Sequence, residues 1–215
     1  MSAPDVRAMF DRIAPRYDLA NRVMSAGVDL WWRRRAVALL QPQWDERLLD
    51  LACGTGDCSR EILRRQPGAR LFGLDFAREM LRRYQPGACV QADALALPVR
   101  TGALDGAICA FGLRNVADLP QALFELARAL RPGGRLLVLE FFRSGRRLAV
   151  DGLARLLGKL VSGDRAAYEY LFASIRSFHS TGEMVDLLQG AGFGDVAVRP
   201  LFPQGIATIV KGVRA

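Results

Sequence analysis

The chain has 215 residues, 51% of them apolar, which suffices for one domain with a sizeable core. Its apolar runs, such as residues 136–142, fall far short of the roughly 18 to 20 residues that cross a bilayer, and its N-terminus lacks the apolar core of a signal peptide. These features argue against a membrane-spanning protein. They predict a cytoplasmic one and leave open a peripheral association with the inner face of the membrane.

The formal net charge of +8 favours an anionic partner, such as nucleic acid or an anionic membrane surface. A general preference for arginine explains the charge equally well, because all of the 30 basic residues except Lys159 and Lys211 are arginine. The four cysteines, Cys53, Cys58, Cys89 and Cys109, have no C-x-x-C spacing. We therefore expect neither a disulfide framework nor a metal site.

Short apolar runs alternate with helix-period segments, which is typical of a parallel sheet covered by helices on both faces. The pattern predicts helices and strands in this chain order: strand 47–52, helix 57–66, strand 70–75, helix 77–84, strand 88–93, strand 104–112, helix 119–130 and strand 135–142. Two helical segments, 146–163 and 164–178, then follow each other without a strand. Ser180 and Glu183 form a capping box, Gly192 ends that helix, and strands follow at 195–200 and 206–212.

These elements predict a single domain, residues 1–215, built around a seven-stranded, mostly parallel sheet. Residues 1–45 are predicted to form a helical lid that caps the open edge of the sheet. Residues 46–142 form the cofactor-binding core, 143–178 a helical insertion, and 179–215 the last helix and strands.

A glycine turn at Gly54, Thr55 and Gly56 joins the first strand to its helix and allows a ligand to approach the backbone closely. Asp75 ends the second strand, where a carboxylate can bind both hydroxyls of a ribose. A dinucleotide site would need a third glycine where the chain has Ser59, and Asp57 would repel a phosphate at the helix N-terminus. An adenosyl ligand without phosphate fits better.

The stretch from Asp50 to Gly56 resembles motif I of class I S-adenosylmethionine-dependent methyltransferases, and Asp75 resembles their ribose-binding acidic residue. This resemblance implies a Rossmann-like methyltransferase fold with S-adenosyl-L-methionine as cofactor. It also implies that the Asp93 side chain and the Ala94 amide recognise the adenine edge.

The stretch "FGLRNVAD" at 111–118 resembles a signature of the C-methyltransferases of menaquinone and ubiquinone biosynthesis. Residues 10–21, 168–178 and 191–193 resemble further hallmarks, so the similarity covers nearly the whole chain. It implies transfer of a methyl group to a ring carbon of a polyprenylated quinol, in the first place demethylmenaquinol, with the benzoquinol step as the alternative. It further implies that the acceptor contacts a set of lid and insertion residues, namely Tyr17, Asn21, Tyr168 and Tyr170.

Arg114 and Asn115 are the predicted catalytic residues. A ring carbon becomes nucleophilic when the quinol loses a phenolic proton, whose pKa in a free phenol is about 10. Arg114 has five N–H donors and no acceptor, so it suits stabilisation of the phenolate better than the role of base. Asn115 either donates to the second ring oxygen or holds Arg114. Water, Asp18 or a tyrosine remain as bases, and His179 is expected to be a bystander.

The acceptor's tail suggests contact with a membrane. Leu153, Leu156, Leu157 and Leu160 share a helical stripe flanked by basic residues, and "WWRRR" at 31–35 combines indole rings with charge. Both stretches are equally consistent with core leucines and solvated arginines.

Ala26, Asp29 and Ala110 depart from the family pattern, which leaves the preferred ring open. Methylation of RNA, a sterol or another small aromatic acceptor stays an alternative, as does a non-catalytic adenosyl-binding regulator. Neither the prenyl length nor the oligomeric state can be inferred.

Overall fold

Within the part of the chain described by the structure, a computed structural model covering residues 3–143, 165–203 and 205–215, seven strands form one sheet. Nothing is described of the side chains of Ala3, Met24 and residues 165–168. The strands are β1 Arg47–Leu51, β2 Arg70–Asp75, β3 Ala88–Gln91, β4 Leu104–Ala110, β5 Leu130–Glu140, β6 Phe193–Pro200 and β7 Thr208–Arg214. Their order is β3-β2-β1-β4-β5-β7-β6, and β7 runs antiparallel to both neighbours while the first five strands are parallel. The predicted seven-stranded, mostly parallel α/β fold is confirmed.

The helices of the described residues are α1 Ala3–Ile13, α2 Tyr17–Ser25, α3 Val28–Leu40, α4 Asp57–Arg65, α5 Arg78–Leu81, α6 Leu119–Ala129, α7 Arg165–Ser177 and α8 Thr181–Gly190. The predicted capping box is present, because the Glu183 N–H donates to Ser180 Oγ and the Ser180 N–H donates to the Glu183 carboxylate. Strand β5 begins at Leu130, five residues before the predicted start, since Leu130 already pairs with Leu104 ahead of a register shift. Leucines 153, 156, 157 and 160, and the predicted helix 146–163, lie outside the described residues.

Helices cover both faces of the sheet, and side chains that alternate along each strand supply two cores. Leu49 and Leu51 of β1 join one core with residues of α6 and α8. Leu48, which directly precedes Leu49 and points to the opposite face, joins the other core with residues of α3 and α4. The near-continuous apolar runs of the parallel strands are therefore explained by burial on both faces.

The sequence suggested that the N-terminal helices cap the open edge of the sheet, but the structure places them elsewhere. Helix α3 packs on one face, against α4, β4 and β5, and α1 packs on α5, which follows β2. Phe10 of α1 meets the ring of Phe76, the residue after β2. These contacts place α1 beside the carboxyl end of β2, at the edge of the sheet where α/β folds bind ligands.

The "WWRRR" stretch is divided between the core, which takes Trp32 and Arg33, and the surface. Trp32 is 5% exposed and donates its indole N–H to the Phe202 carbonyl at 2.7 Å, and Arg33 is 7% exposed. Only Trp31, Arg34 and Arg35 of this stretch reach the surface, with the Arg35 guanidinium 5.2 Å from the Trp31 ring centre. Among the described helices, none is both long and apolar enough to span a bilayer.

Candidate active site

The glycine turn and Asp75 meet at the carboxyl ends of β1 and β2. The Asp75 carboxylate accepts the N–H groups of Gly54 and Ala77, each at 2.9 Å. Burial raises the pKa of Asp75, although these N–H donors oppose the shift. A carboxylate has about four acceptor positions, so Asp75 retains capacity for ribose hydroxyls.

The two glycines of the turn serve different purposes. Gly54 has φ +55°, and a Cβ added there would meet only a Tyr17 ring atom, at 3.9 Å, so Gly54 opens space for a ligand. Gly56 has φ +96°, and an added Cβ would lie 2.7 Å from Pro86 and 3.0 Å from Tyr84. Gly56 is therefore required by the packing of the protein as well as by its backbone angles.

A small pocket opens beside this turn. The side chains around it bear both signs of charge, with Arg33 as cation and Asp50 and Asp57 as carboxylates. The full lining consists of Tyr17, Arg33, Asp50, Ala52, Cys53, Gly54, Thr55, Asp57, Cys58 and Ala110. Four predicted cofactor or substrate residues, Asp50, Gly54, Thr55 and Tyr17, are thus brought together at one pocket.

Asp50 lies under the turn at the end of a hydrogen-bond chain. Ser59 Oγ donates to the Asp50 carboxylate at 2.6 Å, and the Tyr84 hydroxyl donates to Ser59 at 2.9 Å. Ser59 therefore has a structural role at the position where a dinucleotide site has its third glycine. Burial raises the pKa of Asp50 to about 6, although the bond from Ser59 and the charge of Arg33 lower it.

This shift gives a testable pH dependence. Because the folded-state pKa lies above the ordinary value, Asp50 contributes stability that is lost as the pH rises through about 6. Asp50→Asn does not titrate. Between pH 5 and pH 7.5 the free energy of unfolding of the variant, relative to wild type, should therefore rise by about 1 kcal/mol, measured by urea denaturation without ligand.

A matched control is Asp105→Asn. Burial would raise the pKa of Asp105, but Arg131 and the Arg47 N–H outweigh it and the pKa is lowered. The free energy of unfolding of Asp105→Asn, relative to wild type, should therefore stay constant between pH 5 and pH 7.5. A flat difference for Asp50→Asn as well would show that Asp50 is not buried as described.

An arginine–aspartate cluster, consisting of Arg22, Asp29, Arg33, Asp57 and Arg60, borders the pocket. Arg22 bonds to Asp29 and, at 2.5 Å, to Asp57, and Arg60 also bonds to Asp57. Burial would raise the pKa of Asp57, but the arginines outweigh it and the pKa is lowered. Asp57 is thus neutralised by its partners, so the repulsion of a phosphate inferred from the sequence is weaker than expected.

Helix α2 is tied to the glycine turn by its polar side. Thr55 Oγ1 donates to Asp18 at 2.8 Å, and Arg22, one helical turn later, bonds to Asp57. Tyr17 lines the pocket, whereas Asn21, on the same helix, is half-buried and outside the pocket lining. Asp18, a predicted candidate base, is therefore a partner of the glycine turn.

Asp93 and Ala94 follow β3 at the same end of the sheet. The Ala92 N–H donates to the Asp75 carbonyl at 3.2 Å, which joins this segment to the end of β2. The exposed Asp93 carboxylate accepts the Leu95 N–H at 2.9 Å, and Ala94 is half-buried. Asp93 and Ala94 thus directly follow Ala92, the residue whose N–H bonds to the end of β2.

Arg114 lies in a 3-10 turn, Leu113–Asn115, just beyond β4, and is bound to a buried acid. Its Nη1 donates to Glu140 at 2.6 Å and to the Phe111 carbonyl at 2.8 Å. The Arg114 side chain is 6% exposed and Glu140 is 0% exposed. Burial raises the pKa of Glu140, although the charge of Arg114 lowers it. Among the residues that the structure describes, neither Arg114 Nε nor Glu140 Oε2 finds a hydrogen-bond partner.

Asn115 contacts the insertion rather than Arg114. The Tyr170 hydroxyl donates to Asn115 Oδ1 at 3.2 Å, which leaves the amide N–H groups of Asn115 free to act as donors. Burial raises the pKa of Tyr170, against the effect of Arg114. Tyr168, the other predicted aromatic contact, lies on α7, but its side chain is outside the described residues.

Sequence reasoning missed Arg33 and Glu140 as site residues. The signal for Glu140 was present, since an acidic residue that follows a run of apolar residues in a buried strand needs a partner. Arg33 gave no such signal, because its burial depends on how α3 packs. His179 is 41% exposed in its side chain and lies 3.8 Å from the Glu183 carboxylate, away from the pocket lining.

Comparisons with known proteins agree with this geometry. Residues 1–214 match the model of the ubiE/COQ5 methyltransferase family. A demethylmenaquinone methyltransferase of Thermus thermophilus is 44% identical, over 96% of this chain and all of the relative. A ubiquinone/menaquinone biosynthesis C-methyltransferase UbiE of Syntrophotalea carbinolica is 41% identical, over 98% of this chain and 94% of the relative.

Solved structures share the fold. A SAM-dependent methyltransferase from Thermotoga maritima superposes with a TM-score of 0.73 at 21% identity, over 98% of this chain and all of that one. A geranyl diphosphate C-methyltransferase from Streptomyces coelicolor, in complex with S-adenosyl-L-homocysteine, superposes with a TM-score of 0.65 at 16% identity, over 85% of this chain and 78% of that one.

Proposed function

Because the chain belongs to the ubiE/COQ5 methyltransferase family and is an S-adenosylmethionine-dependent C-methyltransferase, we propose that it methylates a ring carbon of a polyprenylated quinol. Demethylmenaquinol is the first candidate, and the benzoquinol of ubiquinone biosynthesis is the second. The observation that carries the proposal is the position of Arg114 and Asn115, four and five residues after Ala110 of the pocket lining.

The pocket fits S-adenosylmethionine by its chemistry. Gly54 leaves open space at the turn, Asp75 has free acceptor capacity, and Arg33 Nε is a buried donor without a hydrogen-bond partner in the described residues. We propose that Asp50, Gly54, Thr55, Gly56, Asp75, Asp93 and Ala94 hold this group. When bound, it supplies an electrophilic methyl group on a sulfonium.

The electron-rich acceptor must be created by loss of a phenolic proton, and Arg114 favours that loss. Within the described part of the chain the Arg114 Nε–H has no hydrogen-bond partner, so a ring oxygen that gains negative charge finds a cationic donor there. Glu140 balances the charge of Arg114 and holds it, which pre-organises the donor. A donor fixed in a buried site needs little rearrangement during the reaction.

Asn115 supports the same step as a second donor. Its Oδ1 accepts from Tyr170, so its amide N–H groups can bond the other ring oxygen. Tyr170 does not suit the role of base, because its raised pKa favours the neutral hydroxyl and that hydroxyl already donates. Water, Asp18 and another tyrosine, such as Tyr17 of the pocket lining, remain as acceptors of the phenolic proton.

An exposed apolar face on helix α2 supports the proposal that the lid contacts the acceptor's apolar tail or a membrane. Asp18 and Arg22 face the glycine turn, whereas Leu19 and Val23, also four residues apart, are 68% and 51% exposed. We expect the double variant Leu19→Gln with Val23→Gln to sediment at least about threefold less with anionic liposomes at low salt, with S-adenosylhomocysteine affinity unchanged. Wild-type protein that does not sediment would contradict membrane contact.

The proposed function is tested with methyl-labelled S-adenosylmethionine. Reduced demethylmenaquinone and reduced methoxy-polyprenyl-benzoquinone are supplied in separate reactions, and the oxidised forms of both serve as controls. We expect labelled lipid from at least one quinol and none from an oxidised quinone, since the oxidised ring has no phenolic proton to lose. Absence of labelled lipid from both quinols would contradict the proposal.

A further inference from the structure

The arginine–aspartate cluster has one guanidinium more than it has carboxylates. Arg22, Arg33 and Arg60 share Asp29 and Asp57, and all three guanidinium groups stay protonated. Most of this cluster is withdrawn from water, since the side chains of Asp29, Arg33 and Asp57 are no more than 10% exposed. The Arg60 side chain is 44% exposed and solvated by water, so the charge that most needs a neighbouring anion is that of the buried Arg33.

Arg33 is the member with the poorest partners. The Arg33 Nε atom lies 3.5 Å from Asp57 Oδ2 and 3.8 Å from Asp29 Oδ2, and among the described residues this Nε has no hydrogen-bond partner. The carboxylates are engaged elsewhere, because Arg22 bonds to both and Ser25 donates to Asp29 at 2.7 Å. Arg33 is 7% exposed and lines the pocket, so its unpartnered donor is buried beside the space left for a ligand.

The pocket also contains the partner for a positive group. Asp50 lines the same pocket, and the charge of Arg33 already lowers its pKa against the larger effect of burial. One cation and one carboxylate at a single pocket match a zwitterion, such as the amino-acid end of S-adenosylmethionine. An ammonium group near Asp50 would further favour the ionised carboxylate.

We propose that Arg33 binds the α-carboxylate of the methyl donor, an inference that rests on the proposed function only for the identity of that donor. The residue comes from α3 of the lid, outside the sheet and its connecting turns. Arg33 also stacks at 5.0 Å on the ring of Phe111, which begins the stretch containing Arg114. Arg33 therefore links the cofactor's amino-acid end to the lid and to the exit of β4.

Two ligands that differ in one group test this assignment. S-adenosylhomocysteine carries the α-carboxylate, and its decarboxylated form keeps the amine and the adenosyl group. Titration calorimetry with wild-type protein should give an affinity at least about 30-fold higher for S-adenosylhomocysteine. Arg33→Met should reduce that ratio to about threefold or less, whereas Arg33→Lys should retain an intermediate ratio.

The matched control is Arg34→Met, which removes the exposed arginine next in sequence and should keep the wild-type ratio. A wild-type ratio near one, or an unchanged ratio in Arg33→Met, would overturn the assignment. If Arg33→Met does not fold, Arg33→Lys takes its place, and a ratio for Arg33→Lys equal to the wild-type ratio would overturn the assignment. Binding is measured without any quinol, so the result is independent of the outcome of the methyl-transfer assay.

Discussion

Arg114→Lys should lower the rate of methyl transfer by about 100-fold and leave the affinity for S-adenosylhomocysteine within about threefold of wild type. Lysine keeps the positive charge opposite Glu140, but it loses the Nε–H donor and the planar fork of the guanidinium. Removal of one pre-organised donor to a developing oxyanion costs about 10² to 10³ in rate. Single-turnover kinetics with reduced quinol, together with calorimetry, separates the two effects.

Arg135→Lys is the control for this prediction. Arg135 also forms a part-buried pair with a glutamate, Glu46, at 2.6 Å, but it pairs in the sheet with residues near the amino end of β4. Its substitution should leave the rate within about twofold of wild type. Equal rates for Arg114→Lys and wild type would exclude Arg114 as the donor to the phenolate.

Gly56→Ala should lower the free energy of unfolding by about 3 kcal/mol. The left-handed backbone angle costs a non-glycine residue about 1 to 2 kcal/mol, and overpacking costs a further 1 to 3. The new Cβ would press on Pro86 and Tyr84 at 2.7 to 3.0 Å, and Tyr84 supports Ser59 and, through it, Asp50. The affinity for S-adenosylhomocysteine should therefore fall as well, which calorimetry can measure beside urea denaturation.

Gly102→Ala isolates the backbone part of this cost. Gly102 also has a left-handed angle, φ +66°, but nothing lies within 4 Å of an added Cβ. We expect a loss of about 1 kcal/mol and no change in ligand affinity. Equal losses for both variants would mean that the contact of Gly56 with Pro86 and Tyr84 does not contribute.

The sheet and the glycine turn were predictable because their signals are local. Apolar runs identify buried parallel strands, and the ends of β1 and β2 must lie at one edge, so Gly54 and Asp75 were expected to meet. The hydrogen bond between them follows from that topology. The capping box of Ser180 and Glu183 is equally local, since both partners lie within one helical turn.

The polar network around the pocket was not predictable, because its contacts join residues far apart in the chain. Arg33 looked like part of a surface stretch, yet the packing of α3 on the sheet buries it beside Asp57. Arg114 looked like a free cation at the exit of a strand, yet Glu140 of the neighbouring strand neutralises it. Such contacts depend on the three-dimensional arrangement of α3, α4 and β5, which periodicity does not encode.

The central claim, methyl transfer to a ring carbon of a quinol, is tested most directly by the position of the methyl group in the product. The protein is incubated with reduced demethylmenaquinone and S-adenosylmethionine carrying a ¹³C methyl group, and the extracted lipid is examined by NMR. We predict a single new resonance of a methyl group bonded to a ring carbon. A methoxy resonance, or label confined to a product other than the quinol, would contradict the account.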